Sequence, residues 1–217
     1  MTDLTMPTLA RKQGWLSRGW AFFFPPTVHD AEALRDFLSG EASYLAQKTV
    51  MGFARVKTML AFEKLMTEAA FRDGLEVCRW EAFAQTLADC IIMAEGALRP
   101  AGPAEADKVA DGLRRLYADI LNEHVPAHRL ENGWADRIAQ FDARFATHRL
   151  AAAQHPAELS KHTAASIMEL MPLAKRLIRN DLEVIAGDLG FHMVALRDSM
   201  TKRLRPEPLR ALLCAGG

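Results

Sequence analysis

"GWADRIAQFDARFATHR", residues 133–149, carries the clearest single apolar stripe in the sequence. Trp134, Ile138, Phe141, Phe145 and His148 return every three or four positions. An α-helix collects such positions on one stripe because a turn takes about 3.6 residues, whereas a strand would send them to both faces. The large side chains of this segment are therefore expected to face a core together.

Toward the N-terminus the same period persists. VPAHRLENG (125–133) is a break, and before it Val109, Leu113, Leu116, Tyr117, Ile120 and Leu121 give residues 104–122 a broad inward face. RPAGP (99–103) closes an earlier helix and offers Pro103 as the first residue of the next. Across 76–98, Val77, Trp80, Ala84, Leu87, Ile91, Ala94 and Leu98 recur at helical spacing. HDAEALRDFLSG (29–40) predicts a short helix stopping near Gly40. EASYLAQKTVMGFARVKTMLAFEKLM (41–66) predicts a longer one, with Leu45, Thr49, Phe53, Val56 and Leu60 in one stripe. Tyr44, Lys48, Met51, Arg55 and Phe62 form a second, mixed stripe beside it.

Toward the C-terminus, Pro172 divides residues 157–204 as a kink or a helix start. Leu173, Leu177, Leu182, Ile185, Leu189, Met193, Leu196 and Met200 then sustain an apolar side over about 27 residues. Pro206 and Pro208 stop that helix, and LRALLCAGG reads as a short tail. Each stripe must be buried against another, and the connections are short. The expected architecture is all-α: a single irregular bundle of six to eight mostly antiparallel helices over residues 27–213. Residues 1–26 are expected to pack on it as an aromatic clasp, and 214–217 to form a flexible tail.

Composition narrows the function. Half of the 217 residues are hydrophobic and a quarter charged, as in a globular protein. Lysine plus arginine equals aspartate plus glutamate, 27 against 27, which argues against a dedicated nucleic-acid binder. Three scattered cysteines, Cys78, Cys90 and Cys214, suit a reducing compartment. The opening MTDLTMPTLARKQG lacks a signal core, and an apolar run of about 18 residues is missing from the sequence. Cytoplasm is the expectation, and the alanine and arginine content suits a bacterial source.

The sequence contains neither HExxH nor CxxC, and it lacks paired Glu-x-x-His motifs, a serine elbow, a phosphate loop and a dinucleotide fingerprint. No cofactor is expected. In NEHVPAH (122–128), Glu123, His124 and His128 are crowded enough to meet at a metal, although a polar helix connection is the plainer reading. Asp181, Asp188 and His192 share one helix face, so Asp188 could orient His192 for proton exchange. Tyr44, Lys48 and Arg55 share a side of 41–66 and offer a phenol and two cations to an anionic group. Their plainer role is intramolecular pairing, with aliphatic stems covering apolar surface. Gly187 and Gly190 are expected to permit close helix packing, and Cys78 and Cys90 to be buried small residues.

RKQGWLSRGWAFFFPP (11–26) joins Trp15, Trp20, Phe22, Phe23 and Phe24 to three basic residues. Its rings and charges do not separate cleanly on a helical projection, so a core clasp is expected before a partner surface, and peripheral membrane contact comes last. The leading functional expectation is a non-catalytic, cytoplasmic regulator or assembly factor that binds another protein or itself. The alternative is an enzyme or carrier that takes a small anionic ligand between helices, using Tyr44, Lys48, Arg55, Asp188 and His192.

Overall fold

A computed structural model describes residues 26–149 and 152–215. Among them eight helices follow one another: α1 (Ala31–Thr58), α2 (Phe62–Thr67), α3 (Ala69–Leu98) and α4 (Pro103–Asn122). After these come α5 (Ala135–His148), α6 (Pro156–Leu170), α7 (Leu182–Arg203) and α8 (Pro206–Ala215). Single helical turns lie at Met59–Ala61, Ala127–Arg129 and Lys175–Ile178. Val28 forms an isolated parallel bridge with Leu204, closing the start of the described chain onto the end of α7. The all-α bundle is as expected. The clasp residues Trp15, Trp20 and Phe22–Phe24 lie outside the described residues.

The bundle is organised around α3, in which every residue from Cys78 to Glu95 is buried. A helix covered on all sides must be central, and α1, α6 and α4 pack around this one. α6 also packs along α7. Trp134, Phe141 and Phe145 of the stripe that fixed the fold class are buried as expected. Tyr117 stacks on Phe141 at 4.1 Å between ring centroids.

Three expectations about the elements change. Residues 29–40 and 41–66 do not form two helices. α1 runs unbroken through Gly40, because Leu38, Ser39 and Ala42 are buried around it and their packing outweighs one glycine's propensity cost. It ends instead at Thr58, where Met59 turns to φ 47° and ψ −120°. The 27-residue apolar side is shorter too. The chain leaves helix between Ile178 and Leu182, so Leu177 and Leu182 are exposed and burial begins at Ile185. LRALLCAGG, read as a tail, is instead mostly α8. Its Leu213 approaches Gly112 so closely that a Cβ there would lie 2.7 Å from the Leu213 carbonyl oxygen. Only Gly216 and Gly217 fall outside the described part of that segment.

Gly190 performs the expected packing role, with Ala157 Cβ only 3.1 Å from where its own Cβ would stand. Gly187 does not, since nothing lies within 4 Å of that position. Cys78 and Cys90 are buried, and burial pushes the Cys78 thiol up to about 12.

Candidate functional site

The side chains singled out on α1 and α7 do meet. Lys48 Nζ lies 2.6 Å from His192 Nε2, and Asp188 Oδ1 lies 3.7 Å from the same ring nitrogen. The lysine ammonium donates into that nitrogen, while Asp188 stays beyond hydrogen-bond reach of it. Lys48 also sits 5.8 Å from the Tyr44 ring centroid. Arg55 falls outside the group and stacks 5.0 Å above Phe62. Beside the cluster runs a groove of about 290 Å³ lined chiefly by Phe53, Val56, Val184 and Ile185, with Lys48 and Asp188 at its edge. Asp181, at the start of α7, pairs with Lys57 of α1 at 2.6 Å.

This face carries large apolar side chains left in solvent. Val56, Met59 and Leu60 are 72%, 75% and 99% exposed, and Val184 and Phe191 are 61% and 73% exposed. Val56 and Val184 face each other across the groove, and Met59 and Leu60 extend the strip past the end of α1. Among the described residues, neither Lys48 nor Arg55 has a carboxylate within 4.0 Å.

The proposed metal trio is not assembled. Glu123 pairs with Arg35, and the His124 ring packs 6.5 Å from Trp80 while its carbonyl accepts from Trp134 Nε1. His128 Nε2 lies 3.0 Å from Glu81 Oε1. Among the described residues, no cluster of three or more His, Cys, Asp or Glu side chains is arranged to hold a metal ion. Both histidines turn to α3, His124 to Trp80 and His128 to Glu81, while Glu123 turns away to Arg35 of α1.

The densest polar chemistry lies elsewhere, along a seam between α3, α5 and α6. Glu81 is 3% exposed and accepts from Arg129 Nε at 2.7 Å and Nη2 at 2.8 Å, and from Arg137 Nε at 2.6 Å. Two turns along, Asp89 is wholly buried and accepts from Arg144 Nη2 at 2.5 Å and Thr163 Oγ1 at 2.7 Å. Burial alone would raise the Glu81 pKa, but hydrogen bonds from Arg129 and His128 and the Arg137 charge hold it below the usual range. At Asp89 burial wins over Arg144 and Thr163, raising the carboxyl to about 6.

On the outer side of the two arginines is a cavity of about 600 Å³. Ala88, Tyr117, Phe141 and Leu159 supply its apolar wall, and Gln85, Gln140, His148, Gln154 and His162 add polar groups to the arginines. Sequence reasoning passed over this seam because α3 was read for its apolar stripe. The available signal was Glu81, Gln85 and Asp89 at four-residue spacing inside an otherwise apolar helix. Arg137 and Arg144, seven apart on the next long stripe, are their complement.

Comparison with known proteins finds no matching family model, no similar curated protein and no similar solved structure. Among the described residues, no helix is long and apolar enough to cross a membrane.

Proposed function

We propose that the protein is a cytoplasmic regulator or assembly factor whose α1–α7 face receives an amphipathic helix of another protein, apolar on one side and bearing carboxylates. The observation that carries this reading is the groove between Val56 and Val184, bordered by exposed apolar side chains and by Lys48, a cation without a carboxylate within 4.0 Å among the described residues. Apolar surface supplies the drive for association, and Lys48 selects a partner of opposite charge. The cytoplasmic assignment draws on Cys78 and Cys90, which are buried unpaired thiols.

Photo-crosslinking from Val56 and Phe191 in native lysate, with Glu105 on α4 as the control position, tests the reading. The crosslinked segment is then made as a peptide and its affinity measured. An acidic amphipathic helix whose binding weakens about tenfold or more in Val56→Asp and in Lys48→Glu supports it. Equal crosslinking from Glu105, a second copy of this chain at the groove, or a peptide indifferent to both substitutions overturns it.

A further inference from the structure

The α3–α5–α6 seam is far more elaborate than helix packing needs, and the α1–α7 face makes no use of it. Glu81 and Asp89 occupy the α3 side of Arg137 and Arg144, and neither carboxylate lines the adjoining cavity. The arginines do line it, each 18% exposed at the side chain. A guanidinium gripped on one edge by a carboxylate is fixed in orientation, and its remaining N–H groups stay available to a second acceptor. Arg137 spends Nε on Glu81 and Nη1 on Gln140 Oε1. Arg144 spends Nη2 on Asp89 and on the Leu159 carbonyl, and its Nη1 is closed off without a partner, so among the described residues Arg137 Nη2 and Arg144 Nε are the unpaired arginine nitrogens left for a second acceptor. Buried donors without acceptors are rare in folded proteins, and a cationic one is the costliest kind.

The cavity wall is biased in the same direction. Its charged side chains are Arg137, Arg144 and Glu158, and Glu158 is turned to Lys161 at 2.9 Å. Gln85, Gln140 and Gln154 add amide donors. His148 and His162 stand at the same wall. Burial first, and the nearby arginine charge second, disfavour their protonated forms. The charges that act on these histidines are Arg144 on both and Arg137 on His162, and Glu158, paired with Lys161, lines the same cavity. Tyr117 and Phe141, stacked on each other, supply apolar lining next to the arginines, with Phe141 one helical turn from each along α5.

We infer that this cavity binds a small organic oxyanion, a carboxylate or phosphate ester with an apolar body. Arg137 and Arg144 receive the charged oxygens, and Tyr117, Phe141 and Leu159 cover the body. Glu81 and Asp89 are positioning residues that hold the guanidiniums rather than touch the ligand. An arriving anion offsets the arginine charge, so His148 and His162 take up protons more readily when the site is filled.

The test uses the full chain with imidazole-labelled histidines, followed by NMR as benzoate, phenyl phosphate, benzamide and inorganic phosphate are added singly at constant ionic strength. Saturable movement of the His148 and His162 signals is expected with benzoate or phenyl phosphate, with their titration midpoints moving up. Whichever of the two binds more tightly identifies the oxyanion. Benzamide, which matches benzoate in shape without its charge, is expected to bind at least about tenfold more weakly. Arg137→Gln, which leaves Glu81 its Arg129 partner and keeps the buried Asp89–Arg144 pair intact, should cut the affinity about tenfold or more. Absence of saturable change with both organic anions, equal response to benzamide, or a response to inorganic phosphate alone overturns the inference. So does retained affinity in folded Arg137→Gln.

Discussion

Arg144 Nη2 lies 2.5 Å from Asp89 Oδ1, joining a guanidinium of α5 to a wholly buried carboxylate of α3. Thr163 reaches the other carboxylate oxygen from α6, so one side chain of the central helix gathers two of its neighbours. Glu81 does the same two turns earlier with Arg129 and Arg137. Paired charges inside a bundle add little net stability over well-packed apolar residues, yet removing one partner is expensive. Here they join α3 to α5, to α6 and to the turn that carries Arg129.

Asp89 makes stability depend on pH. Its carboxyl titrates near 3.8 when unfolded and near 6 when folded, so between those values the folded state holds a proton that the unfolded state has released. This contribution is fully present below the unfolded value and is lost as pH rises through the folded one, on the order of 3 kcal/mol in all. Urea midpoints measured from pH 4 to 7 should show that downward slope, and Asp89→Asn, which cannot ionise, should flatten it. The slope is the readout, because the amide also leaves Arg144 without its counter-charge. Parallel profiles for the two proteins would refute the assignment.

Glu81 acts in the opposite sense. Its folded pKa lies below the unfolded value, so its contribution is present above about 4.5 and is lost as pH falls through the depressed value. Glu81→Ala should cost about 3–5 kcal/mol at pH 7 in chemical denaturation, since it leaves Arg129 and Arg137 partly buried without their acceptor. The deficit should shrink at pH 3. A loss below about 1 kcal/mol at pH 7 would mean that the arginines find other partners.

How much of this was readable in advance follows from what each residue answers to. Trp134, Phe141 and Phe145 fixed the class because a buried helix face imposes its period on the chain. Gly40 and Thr58 misled because helix ends depend on tertiary burial: α1 carries its glycine through the core and stops where Met59 leaves helical geometry. The meeting of Lys48 with His192 followed from placing each on a helix face, although their pairing across 144 positions needed the packing of α1 on α7. The Glu81–Asp89 seam was visible as polar spacing in an apolar helix, but its partners on α5 and α6 were not. One face of a helix says that polar groups must be satisfied, without naming the helix that satisfies them.

Two glycines should respond oppositely to the same methyl group. Gly112→Ala places Cβ against the Leu213 backbone, which cannot yield without shifting α8, and should destabilise by about 1–3 kcal/mol. Gly187→Ala meets nothing within 4 Å on an exposed stretch of α7 and should stabilise by about 0.5–1 kcal/mol through helix propensity. Thermal unfolding of the pair reads both. Equal shifts would show that α8 does not hold Gly112 as closely as described.

Met59 couples stability to the proposed docking face. At φ 47° and ψ −120° it occupies a region open to glycine and costly for a side chain, while the residue is 75% exposed beside Leu60. Met59→Gly should relieve that strain, offset partly by a looser unfolded chain, leaving stability unchanged or raised by up to about 1 kcal/mol. Met59→Val, β-branched at the same backbone, should lose more than about 1 kcal/mol. If the strip past α1 contacts the partner helix, Met59→Gly also weakens peptide binding despite its intact fold, because the apolar contact is gone. Measuring both substitutions by denaturation and by affinity separates the two effects. Unchanged affinity in Met59→Gly would end the docking strip at Val56, and a clear loss of stability there would show that Met59 is not strained.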